Sequence, residues 1–137
     1  MSARSFFDTN ILVYADDDDS PEKQRRARNL WHEHRSGGIG VVSLQVLQEY
    51  FVTVTRKLKF DARKARRKVD LLAEFDVASP KVADILAAID LHQLHGFSFW
   101  DALVLRTAQQ SGCRVLFSDD MQETREIDGL QIVNPFR

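Results

Sequence analysis

The chain has 137 residues, 44% of them hydrophobic and 28% charged, with a formal net charge of −1. That length suits a single domain over 1–137 with a core of its own, and the near-neutral balance excludes a general electrostatic pull towards nucleic acid, leaving only local patches for such a partner. The lone cysteine, Cys113, excludes an internal disulfide and a cysteine-built metal cage, and fits a reducing compartment.

The first element is Ser5-Phe6-Phe7, a short apolar run cut off by Asp8-Thr9-Asn10. This predicts a buried strand ending in a turn. Residues just past the carboxyl ends of parallel strands face ligand in open α/β sheets, which places Asp8 to hold something cationic. The same pattern also describes an aspartate that merely caps Ile11-Leu12-Val13-Tyr14 as a helical turn. The acidic run Asp16, Asp17, Asp18 and Asp19 predicts a solvated loop. Ser20-Pro21-Glu22 starts a helix that carries Ala27, Leu30 and Trp31 and stops at Gly37-Gly38. His32 and His34 point to different faces near its end and are expected at the surface.

Ile39-Gly40-Val41-Val42 predicts a second buried strand, after which Ser43 caps a long helix. Leu44, Leu47, Phe51, Val54 and Leu58 alternate spacings of three and four, which reads as a core stripe. Glu49 falls opposite that stripe, yet among the apolar Val46, Tyr50 and Val52. An acid in an apolar surround needs a partner to offset its desolvation, which makes Glu49 a functional candidate. From Arg56 to Lys68 the chain is crowded with Arg and Lys. Asp61 is expected to cap the helix holding the later ones, with Val69, Leu72 and Phe75 on its buried side. The basic density fits either a solvated face or a patch contacting phosphates through Arg63, Arg66 and Arg67.

Phe75-Asp76-Val77-Ala78 predicts a short strand or extended link, and Ser79-Pro80 opens a helix in which Val82, Ile85, Leu86, Ile89 and Leu94 are expected to pack. His92 and His95 lie near its end, where cations suit the helix dipole; without a third ligand they make no metal site. Ser98 is placed to cap the next helix, which puts Asp101 in its first turn, where backbone N–H groups favour a carboxylate. Cys113-Arg114-Val115-Leu116-Phe117 predicts a buried strand ending in Ser118-Asp119-Asp120, and the tail from Ile127 to Phe136 a turn and a last short strand. No charged start followed by a signal-length apolar stretch is present, nor a run of membrane-spanning length, so a cytoplasmic protein without a membrane partner is expected.

Strands alternating with helices predict an α/β fold, a three-layer sandwich with a mainly parallel central sheet. Right-handed crossovers put Asp8 and Ser118-Asp119-Asp120 on one sheet edge, which Asp101 and Glu49 can also reach. Carboxylates meeting without Lys, His or Arg imply divalent cations, and oxygen-only ligation points to Mg²⁺ or Mn²⁺ rather than zinc.

With these motifs in order, Phe7-Asp8-Thr9-Asn10, Glu49 after the second strand, Ser98-Phe99-Trp100-Asp101-Ala102-Leu103, Ser118-Asp119-Asp120 and the ending Asn134-Pro135-Phe136, the chain resembles the PIN-domain nucleases. Within them it resembles the VapC-type toxins of bacterial toxin–antitoxin pairs, nearly end to end. The resemblance implies a Mg²⁺-dependent endoribonuclease, dimeric, acting on RNA and held inactive by a cognate antitoxin in its acidic groove. Carried over residue by residue, the catalytic acids are Asp8, Glu49, Asp101 and Asp120, supported by Thr9, Asn10 and Ser118. Asp8, Asp101 and Asp120 would be the main ligands of one or two Mg²⁺, with Mn²⁺ able to substitute. Glu49 would bind metal through water or take a proton from the nucleophile, two roles the sequence leaves open. Asp120 is preferred to Asp119 because the family pattern resembles Ser/Thr, a variable residue, then Asp, and neighbouring side chains on extended backbone point to opposite sides. Two other classes compete. A haloacid-dehalogenase-type phosphatase needs a second acid where Asn10 stands. A receiver-type signalling domain needs a phosphorylatable Asp after a central strand and a Lys at another strand end; Asp101 follows no apolar strand and no suitable Lys follows Phe117.

Overall fold

Phe6 and Phe7 are completely buried, and the strand they build, β1 (Ser5–Phe7), is central to the sheet of the computed structural model, which describes residues 3–121 and 125–137. The chain continues through α1 (Thr9–Tyr14), α2 (Pro21–Gly37), β2 (Gly40–Ser43), α3 (Leu44–Arg56), α4 (Ala62–Leu72), β3 (Asp76–Ala78), α5 (Val82–His95), α6 (Phe99–Gln110), β4 (Val115–Phe117), β5 (Glu126–Ile127) and β6 (Leu130–Val133). The six strands form one sheet in the order β3-β2-β1-β4-β6-β5, flanked by helices. Every pairing is parallel except β5 with β6, as the expected α/β class requires. That last pair is a tight hairpin over Asp128 and Gly129, whose φ angles of 48° and 87° are the left-handed values such a turn demands.

The order matters for function. From β1 the chain builds outwards to β2 and β3, and from β4 it builds the opposite way, so β1 and β4 flank the point where the winding reverses. Crevices at such a point, outside the carboxyl ends of the strands, are where open α/β sheets bind ligands. Phe7 pairs in register with Phe117, so Asp8 and Ser118 leave the sheet side by side. The Asp8 N–H donates to the Phe117 carbonyl at 3.0 Å and the Ser118 N–H to the Val133 carbonyl at 3.0 Å, continuing the ladder one step beyond the strands.

The core gathers Phe6, Phe7, Val41, Val42, Leu116 and Ile132 from the sheet under Val46, Leu47, Tyr50 and Val54 of α3 and Val104, Leu105 and Ala108 of α6. Phe75 stacks on Trp31 (centroids 5.7 Å apart, planes at 16°) and meets Phe7 edge-on. A Cβ at Gly40 would stand 2.5 Å from the Phe75 ring, so only glycine lets β2 pass this aromatic. Cys113 is buried, and burial pushes its thiol up to about 11. Among the described residues no helix is long and apolar enough to cross a membrane.

Four expectations are corrected. The buried face of α3 is Val46, Leu47, Tyr50 and Val54, while Leu44 and Phe51 are 47% and 37% exposed. Apolar residues occupy more than one stripe of this helix, and its packing against α1, α4 and β2 selects among them. His34 is buried, not superficial: its ring nitrogens contact the Leu30 carbonyl at 2.8 Å and Ser5 Oγ at 3.1 Å, and Phe7 and Phe117 pack edge-on against it. On α5, Val82, Leu86 and Leu94 are 71%, 58% and 77% exposed, with Ile85 and Ile89 also in water. The buried side of that helix is Asp84 and Ala88, and Asp84 is held by the Lys81 N–H (2.8 Å) and Arg106 (3.0 Å), which keep its carboxyl below the usual range. Asp16, finally, is not part of a merely solvated loop. It accepts the Tyr50 hydroxyl at 2.6 Å and pairs with Lys68 at 3.0 Å, tying the end of α1 to α3 and α4.

Candidate functional site

Asp8 serves as both cap and site residue. Its backbone is extended (φ −71°, ψ 158°), and Oδ1 accepts the Thr9 N–H at 2.8 Å, which starts α1. Oδ2 faces the other way and lies 2.9 Å from Ser118 Oγ and 3.3 Å from Asn10 Nδ2. The side chain is buried beside a second carboxylate, Asp120. Burial above all, then the Asp120 charge, raise the Asp8 carboxyl to about 7, against the opposing pull of the Ser118 and Thr9 hydrogen bonds.

Asn10 fastens the two strand ends together. Its Oδ1 accepts the Asp119 N–H at 3.1 Å while Nδ2 reaches Asp8 and Ser118. Asp119 is thereby held by its backbone, and Asp120 is the acid that turns towards the buried Ser118, whose Oγ lies 3.0 Å from Asp120 Oδ1. A hydroxyl carries one proton, so Ser118 can donate to only one of its two carboxylate neighbours at a time. Asn10 Nδ2, 3.3 Å from Asp8 Oδ2, is a second donor to that same Asp8 oxygen.

Asp101 comes from another element altogether. Ser98 Oγ accepts the Asp101 N–H at 3.1 Å, capping α6 and setting Asp101 in its first turn as expected. Burial, then the Asp120 charge, raise its carboxyl as well. Glu49 reaches the same place from α3 but not for the reason the sequence suggested. It is exposed, not enclosed by apolar side chains, and its Oε1 accepts from Thr9 Oγ1 at 3.2 Å and Gln45 Nε2 at 3.3 Å.

These residues line one open groove of about 520 Å³. Asp8, Thr9, Asn10, Glu49, Asp101 and Asp120 all border it; Ser118 lies beneath, and Asp119 joins the rim. Arg63, Arg66 and Arg67 do not: they are exposed on α4 and none lines the groove. Sequence reasoning missed Asp17, Asp19, Lys57 and Trp100 as groove residues. The signal for Lys57 was available, because Gln45, Glu49, Thr53 and Lys57 follow at intervals of four and so share one side of a helix. With Asp17, Asp19 and Asp119 added to the four expected acids, among the described residues seven carboxylates face a single basic side chain, Lys57.

The donor set suits a hard divalent cation. It offers oxygen atoms only, and two of its carboxylates are destabilised as anions by burial and by their neighbour, a strain that a bound cation relieves. Among the described residues no group of three or more His, Cys, Asp or Glu side chains is arranged to hold an ion as it stands. Of the four expected acids, Glu49 and Asp120 are the exposed ones.

The profile of the PIN domain family matches residues 5–128. No curated protein matches the chain in sequence. Among solved structures it is similar to one of a toxin–antitoxin complex from Klebsiella pneumoniae, at 22% identity and a TM-score of 0.70, over 96% of this chain and 97% of that one. It is similar to VapBC2 from Rickettsia felis, bound to a DNA fragment from its promoter (19% identity, TM-score 0.69, 95% and 97% covered). It is similar too to VapC20 of Mycobacterium tuberculosis, a toxin that cleaves the sarcin–ricin loop (16% identity, TM-score 0.66, 82% and 86% covered).

Proposed function

The chain belongs to the PIN domain family, and from that premise we propose that it is a VapC-type toxin, a metal-dependent endoribonuclease that hydrolyses RNA phosphodiester bonds in the cytoplasm. The observation that carries this reading is the meeting of Asp8, Asp101 and Asp120 from three separate parts of the chain, with the Asp120 charge close enough to raise the carboxyls of the other two, on one groove at the reversal point of the sheet. The likeness of the fold to VapC20, a toxin that cleaves the sarcin–ricin loop, supports RNA as the substrate.

PIN domains generally use divalent metal ions, and here Asp8, Asp101 and Asp120 are the groups to hold Mg²⁺, with Mn²⁺ able to replace it. When bound, the metal supplies charge for the scissile phosphate and a more acidic attacking water. The protein's own contribution is orientation. Asn10 and Thr9 position Asp8 and Glu49, and Ser118 spaces Asp8 from Asp120. Glu49, exposed to the groove and held by Thr9 and Gln45, is placed to accept a proton from water.

The structural neighbours that are toxin–antitoxin complexes support a cognate antitoxin as partner, and we propose that it inhibits the chain by occupying the acidic groove. The exposed apolar stripe Val82, Ile85, Leu86 and Ile89 on α5 supports a homodimer, since monomers rarely leave such a row in water.

The test is incubation of the purified chain, freed of any antitoxin, with single-stranded and looped RNA. Cleavage with Mg²⁺ or Mn²⁺, none in EDTA, and none by Asp101→Asn is expected. Mg²⁺ should also raise the melting temperature, by the equivalent of about 2.7 kcal/mol at a hundredfold excess over its dissociation constant. Cleavage undiminished in EDTA would overturn the metal mechanism.

A further inference from the structure

Trp100 is 61% exposed on the wall of the groove, immediately before Asp101. Core packing does not account for it: the buried side of α6 is Ala102, Leu103, Val104, Leu105, Thr107 and Ala108. The indole is braced edge-on by Phe99, with centroids 5.2 Å apart and planes at 73°, which leaves it room to present a face.

The charge of the groove makes that ring informative. Among the described residues seven carboxylates face one ammonium, so away from the scissile phosphate that a bound metal would neutralise, the groove offers a polyanion little electrostatic hold. Base faces are neutral, and aromatic side chains stack on them with little regard to sequence. Lys57, at the end of the α3 face that carries Glu49, is among the described residues the one basic side chain that lines the groove. We propose that Trp100 is the stacking platform for an unpaired base next to the cleaved bond of RNA, and that Lys57 contacts a phosphate of the same strand. This rests on the nuclease reading above and deepens it: the substrate must be unpaired at this point, because a base within a duplex cannot offer its face to the indole.

The chain has two tryptophans, and Trp31 is 6% exposed, so acrylamide quenching reports chiefly on Trp100. The probe is a mixed-sequence, 2′-O-methylated single-stranded RNA, titrated into the full chain with Mg²⁺. Saturation should shield the exposed tryptophan from acrylamide, and a duplex of the same sequence should not shield it. Trp100→Phe should keep the affinity within about threefold, whereas Trp100→Leu, which retains apolar bulk without an aromatic face, should weaken it about 5- to 150-fold, the range for loss of one stacked base. The salt dependence should be unchanged in Trp100→Leu and flattened by about 0.7 in slope in Lys57→Gln. Full affinity in Trp100→Leu, or quenching unaffected by saturating RNA, would overturn the proposal. So would a change in sedimentation mass in Trp100→Leu, which would make the ring a subunit contact. Shielding of Trp100 by RNA that the wild type never cleaves would leave the platform standing and remove the nuclease. Cleavage with unaltered KM in Trp100→Leu would do the reverse.

Discussion

Asp8 is buried with the charge of Asp120 beside it, and this governs how the site responds to pH, while the single proton of Ser118, within 3.0 Å of both carboxylates, opposes the effect. The Asp8 carboxyl, raised by burial and by Asp120 to about 7, holds a proton in the folded chain at pH values where the unfolded chain has released it. The native state therefore binds more protons between about pH 4 and 7, and stability falls as pH rises through that window, then levels off. At about 1.36 kcal/mol per unit the penalty is on the order of 1–4 kcal/mol. Asp8→Asn should thus melt higher than wild type in EDTA at pH 8 and no higher near pH 4, as thermal melts across that range would show; a variant that melts lower at pH 8 would mean that Asp8 is an ionised cap and no more. Asp120→Asn should lose far more RNA cleavage than Asp119→Asn in single-turnover assays, because Asp119 is held through its backbone while Asp120 faces Ser118. Greater sensitivity at Asp119 would reverse the two assignments. Asp8 and Asp101 were legible because an acid that ends a buried strand, and an acid in the first turn after a serine cap, are local patterns. Glu49 was singled out through a desolvation argument that its exposure removes; what the sequence did contain was its place in the ladder from Gln45 to Lys57. His34 was misjudged because its partners, Ser5 and the Leu30 carbonyl, lie on two different elements.

At the level of elements, the helices and most of the strands were legible from apolar runs, caps and breakers, but the faces were not. On α3 apolar side chains cover more than half the circumference, so spacing alone allowed a face rotated from the real one. On α5 the apolar stripe is real and points into water, since periodicity marks an apolar face without saying what covers it. The basic helix α4 lies outside the groove, so any hold it has on RNA must act on the strand beyond the cleavage site. Replacing Arg63, Arg66 and Arg67 together by Ala should weaken RNA binding and flatten its salt dependence by up to ~2 in slope, at ~0.7 for each phosphate no longer neutralised. An identical slope in a filter-binding series would make α4 a solvated face. The α5 stripe carries its own expectation. Ile85→Asp, at a side chain already 39% exposed, should leave monomer stability within about 0.5 kcal/mol and halve the mass seen by sedimentation. A mass equal to that of wild type would exclude this face from a dimer.

Across the whole molecule, the legible feature was the alternation of strands and helices, and the decisive one was their order. Asp8 and Ser118 are 110 residues apart in sequence, and they meet because β1 and β4 pair in register at the reversal of the sheet. Pairing of that kind is set by the twist and burial of the entire sheet, which no local pattern reveals. The added small strand β5 escaped notice for a related reason, since two residues completing a hairpin leave almost no periodicity to read.

The Asp16 clasp reaches further than the two contacts that make it. Asp17 and Asp19, on the groove rim, follow it directly, and their segment is held besides by short turns, Asp17 N–H to Tyr14 carbonyl at 3.2 Å and Asp19 N–H to Asp17 Oδ1 at 3.0 Å, and by α2 through Gln24 to Asp18 (2.9 Å) and Arg28 to the Ala15 carbonyl (2.6 Å). The Lys68 side chain on α4 is thereby one of the ties that would slow opening of the rim. In Lys68→Met, where Asp16 keeps only Tyr50, amide hydrogens of Asp17, Asp19 and Ser20 should exchange with deuterium several-fold faster while those of β1 and β4 keep their wild-type protection. Equal rates throughout would mean the rim opens independently of α4. Faster rates at the rim alone would mean that a cation outside the groove sets how long its mouth stays open.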